Sequence, residues 1–406
     1  MNRSPLSLFS QIIRLTSVFA LLSSLAFSTT TTTRRKHHVT RHAQAAAPKP
    51  AVQSSRAVVQ PVAFARTPVR APRAKAPAGP IVAGGPWTEP TYADSTTGDY
   101  IDGVDLSIRR AAVDALGRYN GSVVVTDPNT GRILSMVNQK LALSGGFQPC
   151  STIKVSVALA GLSEKAIDPA TKLRLGGMKM DLTYALAHSN NYYFATLGEK
   201  LGFEKVSYYA HLFGYGENAG LSIPGEQPGR FPAAPPKNGG VGMLTSFGEE
   251  ISQTPLQLAA LMSAIANGGT LYYLQYPRNM GEARELVPRV KRRLDIEGLI
   301  PIVKPGMRGA VEFGTAHRAR EDGPIAGKTG TCSENHTHLG WFGSFNEVGN
   351  HKLVVVVLLT GGRPAIGPLA AGIAGDVYRR LNEQNYFATS APMTPASLVA
   401  SQICCR

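Results

Sequence analysis

Four cysteines in 406 residues are too few for a disulfide scaffold, and none stands at zinc-finger spacing. Charged residues make up only 17% of the chain and aromatics 7%. With 43% hydrophobic residues, that composition excludes a wholly disordered chain and allows one large domain or two ordinary ones. Acids are nearly missing from the first 90 residues: Glu89 stands alone there against 12 of the 42 Lys and Arg. The formal charge of +15 therefore belongs largely to that stretch, since the rest carries 30 bases against 26 acids. A basic groove for nucleic acid is not what this distribution describes. Long apolar runs are also scarce. Residues 15–28 form a run of 14, short of the roughly 20 that a spanning helix needs.

That short run follows Arg3 and Arg14 and ends in small residues, with Ala26 and Ser28 at A-x-S spacing. Residues 1–28 read as a secretory signal peptide, with an uncleaved membrane anchor as the alternative. Residues 29–90 open on a threonine run and hold nine prolines between 41 and 90, with no persistent apolar period. They read as an extended basic linker. Residues 91–385 read as the folded module and 386–406 as a flexible tail.

Within the module the spacing predicts a helix over 105–119, a hairpin from 122–126 and 132–137 across Asp127-Pro-Asn-Thr-Gly131, and helices over 151–165, 181–201 and 254–266. Strand patterns return at 324–332, 339–346 and 352–360, before a last helix over roughly 366–384. The fold class expected is α+β: an antiparallel sheet flanked by helices, with a mainly helical lobe.

Three short motifs fall in order: Ser151-Thr-Ile-Lys154, Ser189-Asn-Asn191, and Lys328-Thr-Gly-Thr331. Each is weak alone. S-x-N also occurs at Ser333 and Ser344, but after the K-T-G motif and so out of order. A serine hydroxyl needs an adjacent base to attack at neutral pH. Lys154, three residues after Ser151 on a helix, lies on the same face, and burial beside a second cation such as Lys328 would keep it neutral.

In this order, and with GSVVVTDPNTGRILSMV (121–137), IPGEQPGRFP (223–232), TPLQLAALMSAIANGG (254–269) and GKTGT (327–331), the sequence resembles the transpeptidase domain of penicillin-binding proteins, in the serine β-lactamase superfamily. The resemblance covers about residues 98–385. It implies a five-stranded antiparallel sheet and a peptidoglycan D,D-transpeptidase working through a Ser151 acyl-enzyme, with β-lactams as covalent inhibitors, no metal, no organic cofactor and no nucleic-acid partner. The expected site comprises Ser151, Lys154, Ser189 and Lys328 in catalysis and Asn191, Thr329, Gly330 and Thr331 around the substrate, with the N–H groups of Ser151 and Thr331 as the oxyanion hole. The protein is expected to be exported, to the periplasm or the outer face of the cytoplasmic membrane. The alternatives are a serine β-lactamase and a non-catalytic β-lactam sensor or wall-binding module.

Two departures from the family stand out. No counterpart of the pedestal domain usual in larger members is expected from this sequence, and Cys150 occupies a position where glycine is usual in the family it resembles. If Ser151 and Thr331 share one oxyanion, Cys150 and Cys332 flank the two donors closely enough for a disulfide. Some class A carbapenem-hydrolysing β-lactamases look similar there; two separate buried residues are the alternative. His188 reads as structural. Glu226, in Pro224-Gly-Glu-Gln-Pro-Gly229, reads as a loop residue rather than a deacylating base, and His336 with His338 lacks the further ligands of a metal site.

Overall fold

The computed structural model describes residues 98–388, apart from 176, 322, 335–336, 348–350 and 362–365. Residues 1–28 and 29–90, read above as leader and linker, lie wholly outside the described residues, as do residues 389–406 with Cys404-Cys405. Among the described residues no helix is long and apolar enough to cross a membrane.

In chain order the helices are α1 Leu106–Leu116, α2 Gln139–Ala142, α3 Ile153–Ser163, α4 Leu182–Ala187, α5 Asn191–Leu201, α6 Phe203–Leu212, α7 Gly240–Phe247, α8 Pro255–Ala266, α9 Met280–Arg284, α10 Ile300–Glu312 and α11 Ile366–Glu383. The strands are β1 Gly121–Thr126, β2 Ile133–Val137, β3 Leu173–Leu175, β4 Met178–Met180, β5 Thr270–Tyr272, β6 Val290–Arg293, β7 Ile325–Glu334, β8 Thr337–Asn346 and β9 Val354–Thr360. Five of them form one antiparallel sheet in the order β2-β1-β9-β8-β7, and β3-β4 and β5-β6 form two separate two-stranded antiparallel sheets.

The sheet is covered on both faces. That is why β1 and β9 read as unbroken Val/Leu runs rather than as alternating patterns. Val123, Val125, Val355 and Val357 pack with α1 and α11, while Val124, Val354, Val356 and Leu358 pack with α3 and α8. Every residue of α8 is buried, so its apolar character runs all round the helix; Thr254 and Gln257 start it with a reciprocal capping box. The opposite cluster extends past α11 to Tyr386 and Phe387, which pack against it.

Three local differences from the sequence reading bear on the site. The segment 151–165 begins as a tight turn, Cys150–Thr152, before α3. The helix expected over 181–201 is two helices. They break at Ser189, which has φ +55°, and Asn190 then caps α5 by accepting the Tyr193 N–H at 2.8 Å. Turn-prone Ser-Asn-Asn chemistry outcompetes helix continuation here. Finally, α10 was hidden from periodicity by Pro301, Pro305 and Gly306; its apolar residues Val303, Met307 and Ala310 nonetheless lie buried on one side.

Candidate active site

The site is built where the turn before α3 meets the edge strand β7. Trp341 Nε1–H donates to the Gln148 carbonyl at 2.9 Å, Glu334 accepts the Gln148 N–H at 3.0 Å, and the Thr152 hydroxyl donates to the Pro149 carbonyl at 2.8 Å. A side chain at Gly330 would put a Cβ 2.8 Å from the Pro149 carbonyl oxygen and 3.2 Å from Thr152 Cγ2. Strand and turn approach this closely because Gly330 has no side chain. A disulfide joins Cys150 to Cys332 across the same junction, with Cα atoms 5.5 Å apart. Cys150 itself has φ +52°, a conformation that costs an L-residue about 1–2 kcal/mol and glycine almost nothing.

Ser151 is 8% exposed at the bottom of this junction, and Lys154, one turn further on, is completely buried. The Lys154 amino group lies 3.1 Å from Ser151 Oγ, 2.7 Å from the Ser189 carbonyl oxygen, 3.1 Å from Ser189 Oγ and 2.6 Å from Asn191 Oδ1. That is four oxygens around three N–H bonds. The carbonyl of Ser189 and the amide oxygen of Asn191 can only accept, so a neutral amine satisfies them with its two N–H groups and turns its lone pair to a hydroxyl. Burial first, and then the charge of Lys328, push this amine down to about 6. The positive φ at Ser189 turns its carbonyl and hydroxyl onto the same amine.

Lys328, also fully buried, donates to Ser189 Oγ at 2.8 Å and to the Thr329 carbonyl at 3.0 Å. Burial lowers it to about 7. Ser189 Oγ thus sits between two lysines, and a hydroxyl route connects Ser151, Lys154 and Ser189. The Thr329 hydroxyl meets that of Thr315 at 2.6 Å. Thr315 was not singled out from sequence, because nothing in Gly314-Thr-Ala marks it locally. The Thr331 side chain points toward Gly367 of α11.

Glu226 is engaged elsewhere. Its carboxylate accepts the Ala219 N–H at 2.7 Å and the Gly220 N–H at 3.0 Å, which stitches its own loop together. Burial raises its pKa against the pull of those N–H groups.

A sheet of this order, with a buried Ser-Lys pair at its edge and a second Ser-Lys pair facing it, defines the active-serine β-lactam-recognising class of fold. Within that class the chain matches the penicillin-binding protein transpeptidase domain over residues 121–379, and it belongs to that family. It is 29% identical over 283 residues to stage V sporulation protein D of Bacillus subtilis, a match covering 60% of this chain and 43% of that protein. It is 25% identical to the peptidoglycan D,D-transpeptidase MrdA of Haemophilus influenzae, covering 66% and 54%. The chain thus spans about half the length of these curated relatives. The crystal structure of Pseudomonas aeruginosa PBP2 in complex with WCK 5153 shares its fold, with a TM-score of 0.61 at 23% identity over 72% of this chain and 77% of that one.

Proposed function

We propose that this protein is a peptidoglycan D,D-transpeptidase in which Ser151 forms the acyl-enzyme. The observation that carries the reading is the buried Lys154 amine, held within 3.1 Å of both Ser151 Oγ and Ser189 Oγ with its charged form suppressed. Neutral Lys154 takes the proton as Ser151 Oγ bonds to the carbonyl of the D-Ala–D-Ala peptide. As the C–N bond breaks, that proton passes through Ser189 Oγ to the departing amine, and D-alanine leaves. An amine of a second stem peptide then attacks the acyl carbon, returns a proton along the same route and frees Ser151. Developing negative charge on the carbonyl oxygen is received by the N–H groups of Ser151 and Thr331, the former near the positive end of α3. Lys328 and Thr329 face the terminal carboxylate, and the arriving anion favours the charged form of Lys328. Asn191, its Oδ1 taken by Lys154, has its amide N–H groups for the donor peptide. A β-lactam acylates Ser151 in the same way, but its leaving group stays tethered.

The proposed protein is exported, and it acts on the wall from the periplasm or the outer face of the membrane. The β-lactamase alternative needs a base to activate water on the acyl-enzyme. Both oxygens of Glu226 are occupied by backbone N–H groups, which disfavours that reading. The test is a donor peptide ending in D-Ala-D-Ala, incubated with and without an amine acceptor. Release of D-alanine with formation of the joined product, lost in Ser151→Ala, is expected. Release unaffected by that substitution would overturn the assignment.

A further inference from the structure

Three aromatic rings line up beside the S-x-N turn without serving either the core or the chemistry above. Tyr184 is 50% exposed and Phe313 55% exposed, and His188 stands exposed between them. The ring centroids are 4.1 Å apart for Tyr184 and His188 and 5.7 Å apart for His188 and Phe313. Contiguous exposed rings of this kind commonly mark a contact site. These are held on a stiff frame. The Thr315 N–H donates to the Ala187 carbonyl at 3.1 Å, and the Thr315 hydroxyl pairs with that of Thr329 at 2.6 Å. The turn carrying Phe313 is therefore tied both to the end of α4 and to the K-T-G strand.

The position of the rings along the cleft has chemical meaning, and this inference rests on the transpeptidase reading above. Going from Thr331 to Thr329 along β7 follows the donor from its reacting carbonyl to its terminal carboxylate, over about 7 Å of strand. Thr315 meets the carboxylate end of that path through its hydroxyl, and Phe313 stands two residues from it, so the rings adjoin the side from which D-alanine departs. By microscopic reversibility, the amine that replaces D-alanine comes to that side. The local charge also suits a cation. The 13-residue α10 ends here with Phe313 as its C-cap, so its negative end lies beside the rings, while the last carbonyls of α4 are already taken by backbone N–H groups. Glu312 precedes Phe313, with Arg308 its partner at 3.7 Å one turn back. The two lysines of the site turn their amines inward onto Ser189. Aromatic faces attract an ammonium group.

We propose that Tyr184, His188 and Phe313 form an acceptor subsite, which receives the ammonium-bearing side chain of the second stem peptide before its amine reaches the acyl-enzyme. The group arrives charged and is held over the rings. As it moves to the acyl carbon it gives one proton through Ser189 Oγ to neutral Lys154 and, on attack, a second to Ser151 Oγ as the ester C–O bond breaks. Lys154 then releases its proton to solvent.

The experiment measures how the acyl-enzyme from a D-Ala-D-Ala donor divides between aminolysis and hydrolysis in the full protein. Two acceptors are compared: a stem peptide with a free lysine-type ε-amine, charged at neutral pH, and hydroxylamine, which is neutral there. Tyr184→Ala and Phe313→Ala should each lower the aminolysis-to-hydrolysis ratio for the peptide by about 3- to 10-fold, leave the hydroxylamine ratio unchanged, and acylate with penicillin at the wild-type rate. Phe313→Tyr should keep the wild-type ratio. Unchanged peptide ratios in both Ala variants overturn the subsite. So do equal losses with both amines, or a wild-type acyl-enzyme that never accepts the peptide amine. A wild-type protein that forms no penicillin adduct instead overturns the transpeptidase reading itself.

Discussion

Replacing Lys328 with methionine should move the pH dependence of acylation in a defined direction. Both lysine amines reach the same Ser189 Oγ, at 3.1 and 2.8 Å, so they lie no more than about 6 Å apart. Two unit charges at that distance repel by about 3 kcal/mol at an effective dielectric constant near 20, equivalent to about 2 pH units of displaced titration. Lys328 is itself lowered to about 7 and so only partly charged, which leaves about 1–2 units as the expected effect on Lys154. In the wild type, the second-order rate of Ser151 acylation should rise as pH passes about 6, where Lys154 becomes neutral, and fall above about 7, where Lys328 loses the proton that meets the ligand carboxylate. In Lys328→Met the alkaline fall should disappear and the acid limb should move upward, because the neighbour that helped to suppress the Lys154 charge is gone. The absolute rate should also drop with the lost carboxylate contact. The assay is stopped-flow acylation by benzylpenicillin from pH 5 to 9, whose own carboxylate does not titrate in that range. An acid limb that stays in place or moves down would refute the electrostatic coupling of the two lysines.

Lys154→Met should abolish acylation while stabilising the fold at neutral pH. The buried amine titrates near 6 when folded and near its ordinary 10.5 when unfolded, so its burial penalty is full below pH 6 and relieved as pH rises toward 10.5. The wild type should therefore gain on the variant by about 1.4 kcal/mol per pH unit across that window, read by denaturant melts. Under reducing conditions, Cys150→Gly should be more stable than Cys150→Ala by about 1–2 kcal/mol, because the position holds φ +52°. Reducing the wild-type disulfide, which closes a separation of 182 residues, should lower stability by no more than about 5 kcal/mol. Glu226→Gln should leave the penicillin adduct as long-lived as in the wild type and loosen only its own loop, seen as faster amide exchange at Ala219 and Gly220.

Most of the sheet was legible because β1, β9 and the edge strand β7 carry continuous patterns bounded by turns. The chemistry was legible as three motifs in order, yet their meeting point was not. Ser151, Ser189 and Lys328 are far apart in sequence, and only the resemblance to a known family placed them together. The break at Ser189 was missed because its apolar neighbours keep helical spacing while backbone turn chemistry overrides them. Helix α10 was missed because Pro301 and Pro305 suppress the local signal, although Val303, Met307 and Ala310 pack regardless. Thr315 and Phe313 carry no signature, and Tyr184 and His188 show only helical spacing: their relation to the site is made by the hydroxyl pair with Thr329 and by the tilted ring contact that brings Phe313 to His188 from a distant segment.

The most direct test of the account is the intact mass of the purified protein followed over time after a pulse of benzylpenicillin, with the modified peptide then mapped. A neutral Lys154 beside Ser151, and no carboxylate free to activate water at Glu226, predict one adduct, on Ser151, that persists for minutes or longer. No adduct, an adduct on another residue, or loss of the Ser151 adduct within seconds would contradict it.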